Sequence, residues 1–428
     1  MHQPTVRCLL SAAIILLSLF TVLLCETAYA DFSIRPSITV SEEYDDNIFE
    51  SPQKKTDYIT RFMPGLSFSY SAPFWDWDLA YNYDYRYYAR NTRNGDDTHN
   101  LLTKGLVRVI DDFLLLDISD TYSRVSLNIA RDRTQESLFV NQSDSNNFTA
   151  SPYLQFHPSR QTTIKTGYRY NNLWYRDPTA IDHRDHIGYI DVAYEYSPKL
   201  TLVANNTYTH DSSSEAYNRD IAYIGGKYEY SEKSFINAQG GMIFQNAQKR
   251  GNNYNKPYWN AVITHAFNML TVSLSTGVKF PDDPENGVTM ETDYALAVTK
   301  ELRRGNIGLN VSYTEYSGSG IRLDVDKRYS AGITSRYELT TKLYGSLICS
   351  VERYDHQLAN SYTRRILVNP SLNYTLPDEF SIGLNYTFVD SYSPEIQSDR
   401  YQVNRVSFEL RKSFGKEVER FKTEKSPQ

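Results

Sequence analysis

Two histidines and two aspartates crowd one polar stretch of the chain, at Asp182, His183, Asp185 and His186. Imidazole and carboxylate groups are metal ligands, so this stretch could recruit a metal ion. Two histidines three residues apart in a polar loop are nonetheless more often solvated surface than metal ligands. We therefore predict that the protein uses no metal and no cofactor.

The other candidates for chemistry are weaker. An acidic first loop, formed by Glu42, Glu43, Asp45, Asp46 and Asn47, could attract calcium or the cations that bridge lipopolysaccharide. Its spacing fits no known cation-binding loop, so solvated charge is the better interpretation. The sequence has no Ser-His-acid order with a nucleophile turn and no glycine-rich phosphate loop. We predict that the protein is not an enzyme.

The first 30 residues are typical of an export signal. Arg7 supplies a short positive region, residues 9–24 are almost unbroken apolar sequence, and Ala28-Tyr29-Ala30 is the pattern that a signal peptidase cuts. A retained membrane anchor is the alternative, but a cleavage pattern directly before a strand-like segment favours removal. We predict a signal peptide at 1–30 and a mature chain that begins at Asp31.

The composition combines low hydropathy with many aromatic side chains. Mean hydropathy is −0.54, yet the chain has 36 tyrosines and 19 phenylalanines. After residue 30, no apolar stretch approaches the roughly 20 residues that a membrane helix needs. A membrane β-barrel reconciles these facts, because half of each strand faces lipid and half faces water. The net charge of −6 argues against nucleic acid as a partner.

Apolar and polar residues alternate, with a period of two, in one segment of the chain after another. Phe32, Ile34, Pro36, Ile38 and Val40 alternate with polar residues. A strand places such a set on one face, whereas a helix would spread it around its circumference. The pattern predicts strands at 32–42, 57–70, 75–88, 99–110, 113–125, 146–157, 161–175, 184–197, 200–210, 219–230, 234–246, 255–266, 269–281, 290–301, 304–316, 326–337, 341–354, 362–374, 379–391 and 401–414.

The number and spacing of these strands predict the fold class. Twenty is even, as a closed bacterial barrel requires, and a merged or missed hairpin would give about 18 or 22. Short connections alternate with longer polar ones, which is typical of outer-membrane barrels with short periplasmic turns. We predict an all-β fold, a transmembrane antiparallel up-and-down β-barrel over 31–414, with both termini periplasmic and a charged tail at 415–428. A soluble propeller or sandwich is less favoured, because neither predicts strict short-long alternation of connections with an aromatic-rich outer face.

The lumen of such a barrel needs a constriction if it is to select solutes. About twenty strands leave room for a wide lumen. The first predicted strand follows the cleavage site directly, so we expect no plug domain and look to the loops instead. The longest loop, 126–145, is the candidate to fold inward.

The two faces of the predicted strands suggest two roles. Inward-facing charges are mixed in sign, which does not suit a conduit for polyanions, and we expect most of them to pair across strands. The candidate lumen-lining residues are Asp76, Asp78, Asp84, Arg86, Lys165, Arg169, Glu195, Arg336, Arg405, Glu409 and Arg411. The aromatic face is interpreted as a membrane-interface girdle rather than a sugar platform, because an apolar ring with a polar tip suits that boundary. Its residues are Trp75, Trp77, Tyr81, Tyr83, Tyr85, Tyr87, Phe380, Tyr386 and Phe388.

The last predicted strand has an apolar face that ends in an aromatic residue. Phe408 and Phe414 share this face, and Phe414 closes the strand, although Lys412 interrupts the face and a charged tail follows. Such a strand resembles the signal by which barrel-assembly machinery recognises its clients. We predict that machinery, outer-membrane lipid and lipopolysaccharide as partners.

The first hairpin is similar to the opening of one group of barrels. The segments that carry the resemblance are Pro36-Ser37-Ile38, residues 41–49 (SEEYDDNIF), residues 57–60 (DYIT) and Pro64-Gly65-Leu66. They resemble β-barrel porins of the porin 2 type, which are found beside exopolysaccharide-synthesis and PEP-CTERM protein-sorting genes. The resemblance implies a role in export or surface assembly of an exopolysaccharide, with its periplasmic export components as partners. It covers the first hairpin only and carries over no functional residues.

Three functions remain open from the sequence. The first is an outer-membrane pore through which an exopolysaccharide leaves, which the resemblance favours. The second is a general diffusion porin, which the mixed-sign lumen fits equally well. The third is a non-conducting structural or adhesive barrel whose loops bind surface polymer.

Overall fold

The computed structural model describes residues 31–134, 137, 139–214, 216–248, 253–318, 325–357 and 360–415. The predicted signal peptide, and the predicted tail beyond Gly415, lie outside these residues. Within them, the helical structure is a single short 3-10 helix, Gln397–Asp399. No helix in this part of the chain is long and apolar enough to cross a membrane.

Strands account for almost all of the regular structure. The described residues form β1 (Asp31–Asp45), β2 (Asp57–Ala72), β3 (Trp75–Tyr88), β4 (Asp96–Ile110), β5 (Leu114–Ser126), β6 (Gln142–Ser159), β7 (Thr162–Tyr175), β8 (His183–Ser197), β9 (Leu200–Asp211), β10 (Tyr217–Ser231), β11 (Ser234–Ala247), β12 (Tyr254–Ala266), β13 (Leu270–Lys279), β14 (Asp282–Asp283), β15 (Gly287–Leu302), β16 (Gly305–Gly318), β17 (Val325–Glu338), β18 (Leu343–His356), β19 (Ser361–Thr375), β20 (Phe380–Tyr392) and β21 (Tyr401–Ser413). Twenty of these strands form the barrel wall, and the two-residue β14 pairs with β15 at the tip of one hairpin.

The wall is an antiparallel meander that closes on itself. Each wall strand pairs with the next in the chain, and β21 pairs with β1 from Ser37↔Ser413 to Asp45↔Arg405. Closure leaves no sheet edge, so the backbone N–H and C=O groups of the wall have partners in neighbouring strands. The predicted fold class, a closed antiparallel barrel of 20 strands, is confirmed.

The predicted strand positions are also confirmed, to within a few residues at each end. The prediction for 75–88 coincides with β3, and the predictions for 99–110 and 255–266 correspond to β4 and β12. The largest difference is at β6, which begins at Gln142 rather than at residue 146. Residues 142–145 are all polar and show no alternation, because they lie beside a buried loop rather than between lipid and water.

The two ends of the barrel differ in their connections. At one end, called the turn end, adjacent strands are joined by two to four residues and both termini of the wall are found. Asp112 and Lys233 have positive φ there, 54° and 58°, as tight hairpin turns require. At the other end, called the loop end, the connections are mostly longer, and residues 127–141 form the longest.

Alternation divides each strand between an apolar exterior and a polar interior. On β1 the even-numbered side chains point outward, with Phe32 65% and Ile34 52% exposed, while Ser41 and Asp45 on the other face are buried. The aromatic residues of β3 follow the same rule, since Tyr85 and Tyr87 are exposed and Asp84 and Arg86 are buried. An exposed apolar belt around the wall fits contact with lipid.

Small apolar clusters lie inside the loop end. One joins Leu367, Val389, Tyr401 and Val403, and another joins Ile48, Ile59 and Tyr88. These clusters pack apolar side chains between the wall and the loops at this end of the barrel.

The exterior belt predicts an asymmetric response to charge. Leu274 in the middle of β13 is exposed on the outer face, and Ser273 beside it faces inward, bonded to Thr264. Leu274→Arg should lower the free energy of unfolding in lipid by about 2–4 kcal/mol, because the charge enters the hydrocarbon layer. Ser273→Arg should cost about 1 kcal/mol or less. Denaturant titration of the barrel in lipid vesicles measures both, and equal costs would contradict the assignment of faces.

Candidate functional site: a constriction inside the lumen

The connection between β5 and β6 enters the barrel. Its first turn is tight, because the Asn128 side-chain oxygen accepts hydrogen bonds from the backbone N–H of Ala130 and of Arg131, at 3.0 and 3.1 Å. The Ser126 hydroxyl closes the same turn by donating to the Arg131 carbonyl at 2.9 Å. Leu127 and Ala130 are buried as a result. The prediction that the loop within 126–145 folds inward is confirmed.

The apolar part of this loop docks on the far wall. Ala130 packs with Tyr316 of β16, Val325 of β17 and Tyr354 of β18, and Ile129 packs against the same cluster. In a closed barrel in chain order, these strands lie about half the circumference away from β5 and β6. The loop therefore spans the lumen instead of lining one side of it.

Two arginines fix the loop by ion pairs. Arg131 binds Asp399 at 3.1 Å and donates to the Tyr401 hydroxyl at 2.5 Å. Arg133 binds Glu50 at 3.4 Å and approaches Asp399 at 3.7 Å. Arg131, Asp399 and Glu50 are all buried. Charge-assisted bonds of this kind are strong when every partner is held, and costly when one partner is lost.

The seam of the barrel is the place where β21 pairs with β1. A polar cavity of about 360 Å³ remains between the loop and this seam. We call this cavity the eyelet. Strands β1–β6, β20 and β21 form its wall, and Thr134 and Ser137 of the loop form its inner side. The wall residues are Ser41, Glu43, Arg61, Asp84, Arg86, Thr98, Asn100, Arg124, Gln142, Asn385, Thr387, Arg405, Ser407 and Glu409.

The charges of the eyelet neutralise one another. Arg61 makes a two-point contact with Asp84, at 3.1 and 2.7 Å, and Arg86 binds the same carboxylate at 2.7 Å. Arg405 binds Asp45 at 2.7 Å and Glu43 at 3.0 Å. Four arginines and three carboxylates thus face one small volume. The eyelet is strongly polar without a large excess of either sign.

A second loop lies beside the first. Asp283 orders the tip between β13 and β15 by accepting bonds from the backbone N–H of Glu285 and Asn286 and from Thr289, at 3.0, 3.1 and 2.6 Å. The Pro284 carbonyl accepts a bond from the N–H of Ile181 at 2.8 Å. Residues 128–130 and this tip line a common crevice. The two loops therefore lie side by side at the loop end, and the second is bonded to the connection between β7 and β8.

Four of the eleven predicted lumen residues meet in the eyelet: Asp84, Arg86, Arg405 and Glu409. The others face the interior elsewhere and do not join a common site. Asp76 binds Arg108, Asp78 accepts from Ser69, Lys165 lies over Tyr153, Arg169 lies over Tyr189, and Arg336 lies over Tyr344 near the turn end; Glu195 and Arg411 are exposed to the lumen. Their role in solute passage stays a prediction.

The predicted aromatic girdle residues share the outward face of their strands. Trp75 and Trp77 pack together with Tyr70 near the turn end, and Tyr81 bonds to His99. Phe380 and Phe414 flank Lys412, whose ammonium group lies over both rings. Tyr83, Tyr386, Phe388 and Phe408 occupy outward positions of β3, β20 and β21.

Several residues of the constriction were missed by sequence reasoning. Glu43 and Arg61 follow the inward alternation of β1 and β2, so the pattern could have identified them. The sequence assigns Glu43 and Asp45 to an acidic loop, but both belong to β1 and bind Arg405. Arg131 and Arg133 lie in a loop without periodicity, and no local signal marks their partners.

The description of His183 and His186 as a loop pair is wrong, because both belong to β8, and the predicted strand 184–197 already contained His186. Residues an odd number apart on a strand face opposite sides. His183 is buried inside and its Nδ1 lies 2.7 Å from Asp211, whereas His186 is exposed outside beside Tyr168. The two imidazoles therefore cannot bind the same ion.

A closed wall of 20 antiparallel strands, apolar outside and polar inside, defines an integral outer-membrane β-barrel of the porin architecture. The solved structures similar to this chain include OccK2 (OpdF) of Pseudomonas aeruginosa in complex with glucuronate, at 10% identity and a TM-score of 0.46, covering 90% of this chain and 99% of that one. OccAB2 of Acinetobacter baumannii has 10% identity and a TM-score of 0.44 over 90% and 98% of the two chains. Neither a protein-family model nor a curated protein matches the sequence. At this identity and TM-score, no function passes from those structures to this chain.

The ion pairs of the loop predict a protease-sensitive variant. Asp399→Asn removes the charge that Arg131 and Arg133 share, and breaking a buried pair costs about 3–5 kcal/mol. The loop should then leave its site while the wall stays folded. Trypsin should cut after Arg131 or Arg133 at least tenfold faster than in the original protein.

The matched control is Glu229→Gln, because Glu229 and its partner Lys227 are both exposed, at 53% and 46% of their side chains. An exposed pair contributes about 1 kcal/mol or less, so cleavage of the loop should not change. Equal cleavage of the Asp399 variant and the control would show that the loop is not held by these charges.

The second loop should respond to pH through Asp282. Burial raises the pKa of Asp282 above the ordinary value of about 4, and the neighbouring Asp211 adds to this, while His183 and Arg219 oppose it. Docking of the loop between β13 and β15 therefore favours the protonated form of Asp282. The stability of this docked loop is greatest below about pH 4 and falls as the pH rises through the raised pKa of Asp282. Asp282→Asn should weaken this dependence. A fluorophore attached at Glu285→Cys, in a Cys349→Ser background, reports whether the loop is docked. If Asp282→Asn leaves the pH profile of docking unchanged, the role of the Asp282 carboxyl group is contradicted.

Proposed function

We propose that the protein is an outer-membrane channel for the diffusion of small polar solutes, with the eyelet as its selective passage. The observation that supports this proposal is the docked loop, which crosses the lumen and leaves a cavity of about 360 Å³ beside the barrel seam. That volume lies at the small end of the range for sites that hold single small molecules, about 300–1,000 Å³. It suits a solute of metabolite size.

The eyelet is expected to select by size and polarity rather than by sign of charge. Its guanidinium and carboxylate groups pair closely, as Arg61 does with Asp84 and Arg405 with Asp45. A passing polar solute can exchange hydrogen bonds with these groups, whereas an apolar one would desolvate them without compensation. This is the behaviour of a general diffusion porin with a narrow passage.

Export or surface assembly of an exopolysaccharide is the function that the first hairpin implies. It remains a prediction, together with the polymer and its periplasmic export components as partners. A polymer strand must occupy the lumen continuously, so Ala130 would have to leave the apolar cluster of β16–β18 and Arg131 would have to leave Asp399. The docked loop therefore supports the small-solute channel better. A deletion strain that stops secreting polysaccharide would favour export instead.

The proposal predicts that filling the eyelet blocks the channel. Thr134 lines the eyelet from the loop and is exposed to it. Thr134→Trp should lower single-channel conductance in a planar bilayer by half or more, because the indole fills much of the free volume. Thr179→Trp is the matched control, since Thr179 is exposed in the loop between β7 and β8 and does not line the eyelet.

The conductance of the two variants shows where solutes cross the barrel. A steady conductance that falls only in Thr134→Trp supports passage through the eyelet. Equal conductance in both variants would place the path elsewhere in the lumen. A silent bilayer that contains inserted barrels would contradict the channel and leave the non-conducting structural barrel.

A further inference from the structure

Two histidines face each other on the outer surface of the barrel near the loop end. His186 of β8 and His210 of β9 are direct cross-strand partners, and their ring centroids are 6.2 Å apart. Both occupy outward positions, since His186 is exposed and Ile190, four residues along the same face, is 43% exposed. Direct partners on one face of an antiparallel pair have Cβ atoms about 4.5–5.5 Å apart. The two imidazoles therefore project side by side from one wall.

Each ring is held through the same nitrogen. Nδ1 of His210 lies 2.7 Å from the side-chain oxygen of Asn218, and Nδ1 of His186 lies 2.6 Å from the Tyr168 hydroxyl. Within the part of the chain that the structure describes, no hydrogen bond engages Nε2 of either ring. Donation from Nδ1 to Asn218 leaves the lone pair of His210 on Nε2. A hydrogen bond at one ring nitrogen is the usual support of a histidine that binds metal through the other.

The two rings are close enough to share an ion after side-chain rotation. With a metal–nitrogen distance of about 2.0 Å, two imidazoles on one ion have centroids about 4.5 Å apart at a right angle and about 6 Å apart when opposite. Direct cross-strand partners can reach one ion only in the right-angle arrangement, so rotation of the side chains must shorten the observed 6.2 Å toward about 4.5 Å.

We propose that His186 and His210 form a surface site for one divalent transition-metal ion, bound through their two Nε2 atoms. Cu²⁺ is the preferred occupant, because it is the strongest divalent binder of imidazole nitrogen and accepts a tetragonal arrangement completed by water. Among the described residues, no group of three or more His, Cys, Asp or Glu side chains could hold a metal, so the site depends on these two rings. Arg184 lies on the same face of β8, and its positive charge limits the affinity of the site for a metal cation.

The experiment is titration of the full chain, inserted in lipid vesicles, with Cu²⁺ alone, read by electron paramagnetic resonance. The original protein should bind one Cu²⁺ per barrel with a spectrum that shows two nitrogen ligands. His186→Gln and His210→Gln should each lose the two-nitrogen spectrum and bind at least tenfold more weakly.

His99→Gln is the matched control. His99 also faces outward, and its Nδ1 lies 2.8 Å from the Tyr81 hydroxyl, but its cross-strand partner on β3 is Tyr83 rather than a histidine. This variant should keep the two-nitrogen spectrum. An unchanged spectrum in His186→Gln or His210→Gln would overturn the proposal, as would a spectrum that only His99→Gln abolishes. Since the site lies outside the lumen, its failure would leave the channel proposal unaffected.

Discussion

The pairing of β1 with β21 is the interaction on which the rest of the structure depends. Hydrocarbon offers no hydrogen-bond partner, so every backbone N–H and C=O within it must be satisfied by the protein itself. The pairing from Ser37↔Ser413 to Asp45↔Arg405 gives hydrogen-bond partners to the backbone groups of β1 and β21, which would otherwise be edge strands. Arg405 strengthens the same seam through Glu43 and Asp45. Closure thus fixes the wall and places charged groups inside it.

Closure also explains why the interior can hold a docked loop. Alternation sends apolar side chains to lipid, and the inward face receives the polar and charged ones. Around the loop end these charges form pairs, and Asp399 and Glu50 bind the arginines of the connection between β5 and β6. The apolar contact of Ala130 with Tyr316, Val325 and Tyr354 completes the attachment. The eyelet is what remains between this loop and the seam.

The wall was predictable from the sequence, whereas most of the constriction was not. A period of two is a local signal, so β3 and the other wall strands could be found from neighbouring residues alone. The direction of the longest loop followed from the need to narrow a wide lumen. The ion pairs of Arg131 and Arg133 join residues more than 80 positions apart, which no local pattern records. His183 was placed one residue before the predicted strand 184–197, because the polar residues around it hid the start of β8.

The central claim is that the loop spans the lumen and docks on the far wall when the protein is in a membrane. Cysteines at Ala130 and Val325, in a Cys349→Ser background, place one thiol on the loop and one on β17 within the same cluster. The measurement is the yield of intramolecular cross-link by a short bismaleimide in lipid vesicles. A docked loop predicts that nearly every barrel is cross-linked. Modification of both thiols without a cross-link would show that the loop does not reach the far wall.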